Sequence, residues 1–226
     1  KVFNDIKIYM SVVFRKGNVS IKKTKANKYK IDYVEGEYKH FWKFVKELVG
    51  EKNNSFEAHS VVSLKELLKE KKNQLSYHHL SLFFKQVGNQ YVNLEKDGFG
   101  KAFIDLDDIV VIHKNEEKKG SIFLCLGLKD VYEIEKTEIN INFPYKNSRN
   151  SLFFSPELKN GKKFPLKIKK QSCIFSLAMV IVSCIKPNIN LENLVEELSS
   201  LDETKLYYAL FRCLEEDPHN RYYLWI

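Results

Sequence analysis

Cysteine and histidine are the residue types that most often bind zinc, and cysteine also forms disulfides. The chain contains four cysteines and six histidines. No two cysteines form a C-x-x-C pair, and no histidine lies at a ligand-like spacing, including the doublet His78-His79. The sequence therefore predicts no metal site. Most of the cysteines lie in apolar runs, where cysteine usually behaves as a small buried hydrophobic residue. We expect free thiols in a reducing, cytoplasmic environment.

The strongest pattern comes from three short segments in the second half of the chain. They are Phe153–Glu157 (FFSPE), Gln171–Ala178 (QSCIFSLA) and Asp217–Arg221 (DPHNR). Their order and separation resemble the protein kinase family, in which the activation segment ends in A-P-E. In that family a buried helix reading about S-D-I-F-S-L-G follows, and a D-P-x-x-R turn lies near the end. The resemblance implies an α+β fold with a small β-rich lobe and a larger, mainly helical lobe.

Under this resemblance, the catalytic loop corresponds to the segment that begins at Phe103. Asp105 stands at the position of the base that accepts the substrate hydroxyl proton. Phe103 and Ile104 replace the histidine and arginine before it, and Val110 replaces the asparagine that holds Mg²⁺. A deletion would place Asp108 near that metal role, with a poorer fit. The plainer interpretation of Asp105 is a carboxylate in a turn or on the surface.

The metal-binding D-F-G motif of the family corresponds to Cys125, Leu126 and Gly127. A neutral thiol is a weak ligand for Mg²⁺, which prefers carboxylate oxygen. Cys173 replaces the helix aspartate that supports the catalytic-loop backbone in the family. Because Ile104 is changed as well, we expect this support to be absent. The resemblance thus implies a pseudokinase with no cofactor and no bound ATP or Mg²⁺, and with an open apolar cleft at the ATP position.

The structural parts of the family pattern are better preserved than the catalytic ones. The resemblance implies that Glu157 forms a buried ion pair with Arg221, which would fasten the activation segment to the late helices. Removing one partner of a buried ion pair typically costs about 3–5 kcal/mol, because the other charge stays buried alone. The alternative is an accidental pair on the surface.

Hydrophobic periodicity places the secondary structure. The first third is strand-like, with a turn at Gly17-Asn18. Ser63 and Glu66 predict a capping box at the start of a short helix. Little periodicity is visible in Lys129–Asn150, which we expect to be irregular. Further helices are expected over 41–48, 76–94, 172–185, 191–200 and 203–214, and a hairpin over 103–112 and 121–127.

The first 62 residues admit two alignments with a kinase small lobe. In one, Ile6–Val34 forms the last two strands and the hinge, and the glycine-rich strands and the ATP-binding lysine are missing. In the other, Val19–Lys22 (VSIK) carries that lysine and Phe41–Leu48 is the helix of its glutamate partner. The second alignment leaves too few residues for two more strands before the next helix. We therefore divide the chain into an incomplete small lobe (1–62) and a helical lobe (63–226).

The chain is basic, with a net charge of +8 and a pI of about 9.1. Its lysines are scattered through surface-like segments, so a solvated surface explains them better than a nucleic-acid site. The longest apolar run, Cys173–Ile185, is too short to cross a bilayer, and we expect no membrane partner.

Taken together, these patterns predict an inactive kinase-like scaffold or structural subunit of a larger assembly. Its protein partners would contact the segment 129–150 and the basic loop Asn160–Lys170. The alternative is an atypical serine/threonine protein kinase that uses Asp105 as its base and recruits Asp107 or Asp108 for metal. Nucleic-acid binding is a third, minor hypothesis.

Overall fold

The computed structural model describes residues 10–34, 36–72, 74–117, 120–142, 152–186, 190 and 193–226, and it shows a mixed α+β fold. The first elements are β1 (Ser11–Lys16), β2 (Val19–Lys25), β3 (Lys28–Asp32), α1 (Lys39–Val49), β4 (Ser55–Glu57) and β5 (Ser60–Ser63). There follow α2 (Leu64–Glu70), α3 (Tyr77–Lys96), β6 (Phe99–Lys101), β7 (Ile109–His113) and β8 (Ile122–Cys125). The last are β9 (Val131–Glu135), β10 (Glu138–Ile141), α4 (Pro156–Asn160), β11 (Leu166–Lys169), α5 (Ser172–Val182), α6 (Leu194–Glu197) and α7 (Lys205–Cys213).

The strands form three antiparallel sheets. The first is the meander β1-β2-β3-β4, and the second joins β5 to the hairpin of β7 and β8. The third has the order β11-β10-β9-β6. The long helix α3 contacts α1, α5 and β8, so it occupies the centre of the fold. No helix in the described part of the chain has the length and apolar character needed to cross a membrane.

Several local predictions are confirmed. Helix α2 begins with the expected capping box, in which the Ser63 hydroxyl accepts a hydrogen bond from the backbone of Glu66 and the Glu66 carboxylate accepts one from the backbone of Ser63. Helix α1 covers the predicted range 41–48 and ends at Gly50, which adopts the left-handed conformation that glycine permits. The hairpin of β7 and β8 also lies where the two apolar runs predict it. These predictions are correct because each depends on residues that lie close together in the sequence.

The spacing argument about the first 62 residues is wrong. Two strands, β4 and β5, do fit between α1 and α2, because β4 is only three residues long. The order of three strands, a helix and two strands therefore agrees with the alignment we did not adopt. Lys22 nevertheless lies 2.7 Å from Asp32, and Glu47 on α1 pairs with Lys43 instead. The ion pair between Lys22 and a glutamate of α1, which this second alignment implies, is thus not formed. Residues before Met10 lie outside the described part.

The expectation that Lys129–Asn150 is irregular is also wrong for the residues that can be described. Strands β9 and β10 form a hairpin, and β11 adds a further strand from the basic loop. The connecting turn is Lys136-Thr137, which lacks the glycine or asparagine that marks most tight hairpins. Lys136 adopts a positive φ of 62° all the same. Residues 143–150 lie outside the described part.

Two hydrophobic cores are present among the described residues. The larger one contains side chains from both sides of position 62, including Ile21, Phe41, Phe83 and Val180. The smaller one lies under the sheet of β11, β10, β9 and β6. Its buried members are Ala102, Ile139, Ile141, Phe154, Leu158 and Ile168.

A side chain from the middle of the chain fixes the start of α1. The Asp97 carboxylate, at the end of α3, accepts hydrogen bonds from the backbone N–H groups of His40 and Phe41, each at 3.0 Å. Tyr38, the residue at the helix N-cap, provides no side-chain cap of its own. The first N–H groups of a helix need such acceptors. Asp97 therefore ties α1 to α3.

Candidate functional site

The segment that the kinase resemblance aligns with the catalytic loop joins β6 to β7. It leaves β6 after Lys101, forms a short 3-10 turn at Leu106–Asp108, and continues directly into β7. The tip of the β1–β2 hairpin lies on one side of this segment, since Lys16 reaches Asp108. Helix α5 lies on another side, since its Ser176 contacts Ile104.

Asp108 is the buried carboxylate of this site and is only 3% exposed. The ammonium of Lys16 lies 3.2 Å from its Oδ1, and the ammonium of Lys101 lies 3.4 Å from its Oδ2. The backbone N–H of Asp105 donates to Oδ2 at 3.1 Å. A buried carboxylate is costly unless opposite charges and donors compensate it. These three groups provide that compensation from within the protein.

The two lysines differ in their surroundings. Burial alone would lower the pKa of Lys16, but the charge of Asp108 outweighs it and raises that pKa, so Lys16 stays protonated. Lys101 is 1% exposed, and its ammonium also donates to the carbonyl of Gly127 at 2.5 Å. A Cβ atom at Gly127 would lie 1.9 Å from Oδ1 of Asp108. Gly127 therefore permits a close approach that any other residue would block.

The positions that correspond to D-F-G offer no charged ligand. The Cys125 thiol is buried, and its sulfur accepts a hydrogen bond from the Tyr91 hydroxyl at 3.0 Å. Burial raises the pKa of Cys125 to about 11, so the thiol is neutral at physiological pH. Leu126 is fully buried. A neutral thiol and two apolar residues cannot hold Mg²⁺.

The other carboxylates near this site do not converge on one point. Asp105 is half-exposed at the start of the 3-10 turn. Asp107 forms an ion pair with Lys65 at 2.6 Å. Asp130 is half-buried, and burial raises its pKa. Across the residues that the structure describes, no three potential metal ligands come together.

Three of the replaced positions serve the packing. Phe103 is half-buried, and its ring meets that of Phe154 edge-on, with the centroids 4.6 Å apart. Ile104 and Val110 are fully buried, and Val110 lies opposite Leu124 in the strand pair of β7 and β8. None of these three side chains replaces the charge or hydrogen bonding of the family residues.

The expectation that the catalytic-loop backbone lacks support is wrong. The Ser176 hydroxyl on α5 accepts a hydrogen bond from the N–H of Ile104 at 2.7 Å and donates to the carbonyl of Ile104 at 3.1 Å. The Ser172 hydroxyl donates to the carbonyl of Ala102 at 3.0 Å. Cys173 takes no part, because its thiol donates to the carbonyl of Lys170. Two serines thus support the loop where the family uses an aspartate.

Glu157 and Arg221 are brought together by the fold. The Arg221 guanidinium makes two hydrogen bonds to the Glu157 carboxylate, at 2.6 and 3.1 Å. It also donates to the carbonyls of Glu215 and Glu216 and lies 4.8 Å from the ring centroid of Phe175. The Arg221 side chain has no solvent exposure. The pair ties α4 to the residues that follow α7.

Apolar side chains fill part of the space beside the strands of the first 62 residues. Strand β1 contacts β5, and Phe14, Val19 and Val61 are buried in the larger core. A cavity of about 400 Å³ remains between the β1–β2 hairpin, the start of α1 and the residues after β8. Charged and apolar groups line it together, among them Lys16, Asn18, Glu37, Tyr38, Trp42 and Lys129. This cavity differs from the open apolar cleft that we expected.

Sequence reasoning missed several residues of this site. Lys101 looks like any surface lysine, because its partners Asp108 and Gly127 become visible only in three dimensions. Lys16 is equally inconspicuous beside the turn at Gly17. Ser176 did leave a signal, since a serine within a long apolar run often marks a buried hydrogen bond.

No protein-family model matches this chain, and no curated protein sequence matches it. The order of the elements and the contacts described above therefore carry the functional argument.

Proposed function

We propose that this chain is a kinase-like domain that does not transfer phosphate and that serves as a scaffold or structural subunit of a larger protein assembly. Three observations support the kinase-like assignment. The three segments that resemble the family occur in the expected order, and Glu157 and Arg221 meet as that resemblance implies. Ser176 also supports the loop that corresponds to the catalytic loop.

The proposal of inactivity rests on the environment of Asp108. Phosphoryl transfer needs carboxylates that are free to hold Mg²⁺ and to neutralise the transferred phosphate. The buried carboxylate in this site already contacts Lys16 and Lys101 and packs against Gly127. Binding a metal there would require breaking two ion pairs in a buried position. The positions that correspond to D-F-G add no second carboxylate.

The alternative, an atypical serine/threonine kinase, would use Asp105 as base and Asp107 or Asp108 as metal ligand. Both proposed metal ligands are engaged in ion pairs, Asp107 with Lys65 and Asp108 with two lysines. Asp105 is half-exposed, as expected of a carboxylate in a turn. These contacts favour the inactive domain over the atypical kinase.

The decisive experiment measures the thermal unfolding midpoint with ATP and Mg²⁺ together, with ATP alone and with Mg²⁺ alone. A ligand at about 100 times its Kd adds roughly 2.7 kcal/mol of stability, so real binding would be visible. We expect ATP and Mg²⁺ together to shift the unfolding midpoint no more than either of them does alone. A Mg²⁺-dependent shift, together with phosphate transfer that Asp105→Asn abolishes, would establish the atypical kinase instead.

A further inference from the structure

Strand β11 forms one edge of the sheet β11-β10-β9-β6. The backbone N–H of Lys170 donates to the carbonyl of Thr137, which fixes the pattern of hydrogen-bonded pairs along the two strands. Because Lys170 lies opposite Thr137, the next hydrogen-bonded pairs are Ile168 with Ile139 and Leu166 with Ile141. The residues between them, Lys167 and Lys169, direct their backbone N–H and carbonyl groups away from β10.

The outward backbone groups of Lys167 and Lys169 have no strand partner among the described residues. In the described part of the chain, β11 pairs with β10 alone. Lys167 is exposed and Lys169 half-buried, while Ile168 between them packs into the smaller core. The core therefore holds the strand in place, and its outer edge presents two N–H groups and two carbonyls in a row. An edge of this kind is a template for another extended chain.

The charge around this edge is strongly positive. Residues 158–171 contain six lysines and no acidic residue. Two of the lysines are neutralised within the protein, Lys169 by Glu138 and Lys170 by Glu95. The remaining four have no carboxylate within ion-pair distance among the described residues. They are Lys159, Lys162, Lys163 and Lys167.

We propose that the outer edge of β11 binds an extended acidic segment of a partner protein, which adds a strand to the sheet. This inference deepens the proposed scaffold function and rests on it, since it specifies the chemistry of the partner. The exposed row of backbone groups would fix the peptide main chain, and the four unpaired lysines would select acidic side chains. A nucleic acid would use the lysines but not the backbone row, and β11 carries no aromatic residue on which bases could stack.

The experiment uses the peptide Glu-Val-Glu-Val-Glu-Val-amide, labelled with fluorescein at its N-terminal amine, and measures its anisotropy with the full chain. Lys167→Pro removes an outward backbone N–H that does not bond to β10. An edge strand tolerates proline at such a position. We expect this substitution to weaken binding about tenfold, because a backbone hydrogen bond and close approach are lost. Lys167→Ala keeps the N–H and should weaken binding about threefold. Lys205→Ala removes an exposed charge on α7 and should leave binding unchanged.

A second probe keeps the test independent of how well the proline variant folds. The same peptide with every backbone nitrogen methylated keeps its charges but cannot donate to a strand, and we expect it not to bind. Equal binding of both peptides, or absence of binding by the unmodified one, would overturn strand addition. Binding of a single-stranded hexanucleotide that is tighter than binding of the unmodified peptide would also overturn strand addition. None of these results involves ATP or Mg²⁺, so failure here is distinct from failure of the proposed inactivity.

Discussion

Ser176 on α5 holds both polar backbone groups of Ile104, accepting from its N–H at 2.7 Å and donating to its carbonyl at 3.1 Å. All of these atoms are buried, and 72 residues separate the two positions. Together with the Ser172 hydroxyl, which donates to the carbonyl of Ala102, this hydroxyl sets the path of the loop between β6 and β7. The kinase resemblance implied that this loop lacks the charged support of the family, and neutral hydroxyls hold it instead.

Removal of the small Ser176 hydroxyl should lower the unfolding free energy measurably. Ser176→Ala would leave the N–H and carbonyl of Ile104 buried without partners, which costs about 1–3 kcal/mol of unfolding free energy. Urea denaturation measures the loss. Ser183→Ala is the matched control, because Ser183 is half-buried near the same helix and donates only to Val180 within it. Equal losses for the two variants would show that Ser176 does not support the loop.

Removal of the Arg221 side chain should have a larger effect. Arg221→Ala leaves the Glu157 carboxylate and two carbonyls without their donor, and we expect a loss of about 3–5 kcal/mol. Arg212→Ala serves as the control, since Arg212 is exposed and its guanidinium lies 3.7 Å from the Glu215 carboxylate. An exposed pair of this kind contributes about 0–1 kcal/mol. A loss below 1 kcal/mol for Arg221→Ala would contradict a structural role for the buried pair.

Stability should depend on pH through Asp97. Burial alone would raise the pKa of Asp97, but the hydrogen bonds from the backbone of His40 and Phe41 and from the His40 ring lower it. Its contribution is therefore present above the ordinary aspartate pKa of about 3.9 and is lost as the pH falls through the lower folded value. We expect Asp97→Asn to destabilise the protein by about 1 kcal/mol at pH 7, because hydrogen bonds to a charged acceptor contribute more than those to a neutral one.

The difference in unfolding free energy between the wild type and Asp97→Asn should shrink as the pH falls below about 4. Urea denaturation at pH 7, 5, 4 and 3 measures this trend. Asp202→Asn is the control, because Asp202 is exposed and accepts one local hydrogen bond from Glu203. A difference for Asp97→Asn that stays constant from pH 7 to pH 3 would show that the charge of Asp97 does not cap α1.

Gly88 in the middle of α3 should resist substitution. Alanine normally stabilises a helix by about 1 kcal/mol relative to glycine. Here a Cβ atom would lie 2.0 Å from the ring of Tyr223, whose hydroxyl donates to the carbonyls of Phe84 and Lys85. We expect Gly88→Ala to lose about 1–3 kcal/mol, because the ring must move.

The emission of Trp225 should also change in Gly88→Ala, because its ring lies 5.1 Å from that of Tyr223. Lys85→Ala, at an exposed position of the same helix, should change neither stability nor emission. A more stable Gly88→Ala variant with unaltered fluorescence would mean that Tyr223 does not pack on Gly88.

The sequence predicts those parts of the fold whose signals are local. The capping box of Ser63 and Glu66 and the apolar stripe of α1 lie within one or two helical turns, so they could be located closely. The hairpin of β9 and β10 was missed because Lys136-Thr137 is an uncommon turn. Strand β4 was missed because three residues give no periodicity.

The candidate site was predicted less completely than the fold. The positions of Asp105, Cys125 and Arg221 follow from motif order, so the sequence could name them. Lys16 and Lys101 lie 92 and 7 positions from Asp108 in the sequence, and no local pattern predicts their contacts with its carboxylate. Without that geometry, Asp108 looks like a free carboxylate rather than a neutralised one.

The smaller core has a consequence for how the molecule opens. Six buried side chains hold the sheet that carries β11, whereas the larger core draws on helices and strands from the whole chain. Regions with few buried contacts exchange their amide hydrogens through local openings that cost less than global unfolding. The amides of β10 and β11 should therefore exchange before those of α3. An added strand would slow that exchange, so the proposed partner would stabilise the sheet over the smaller core against local opening.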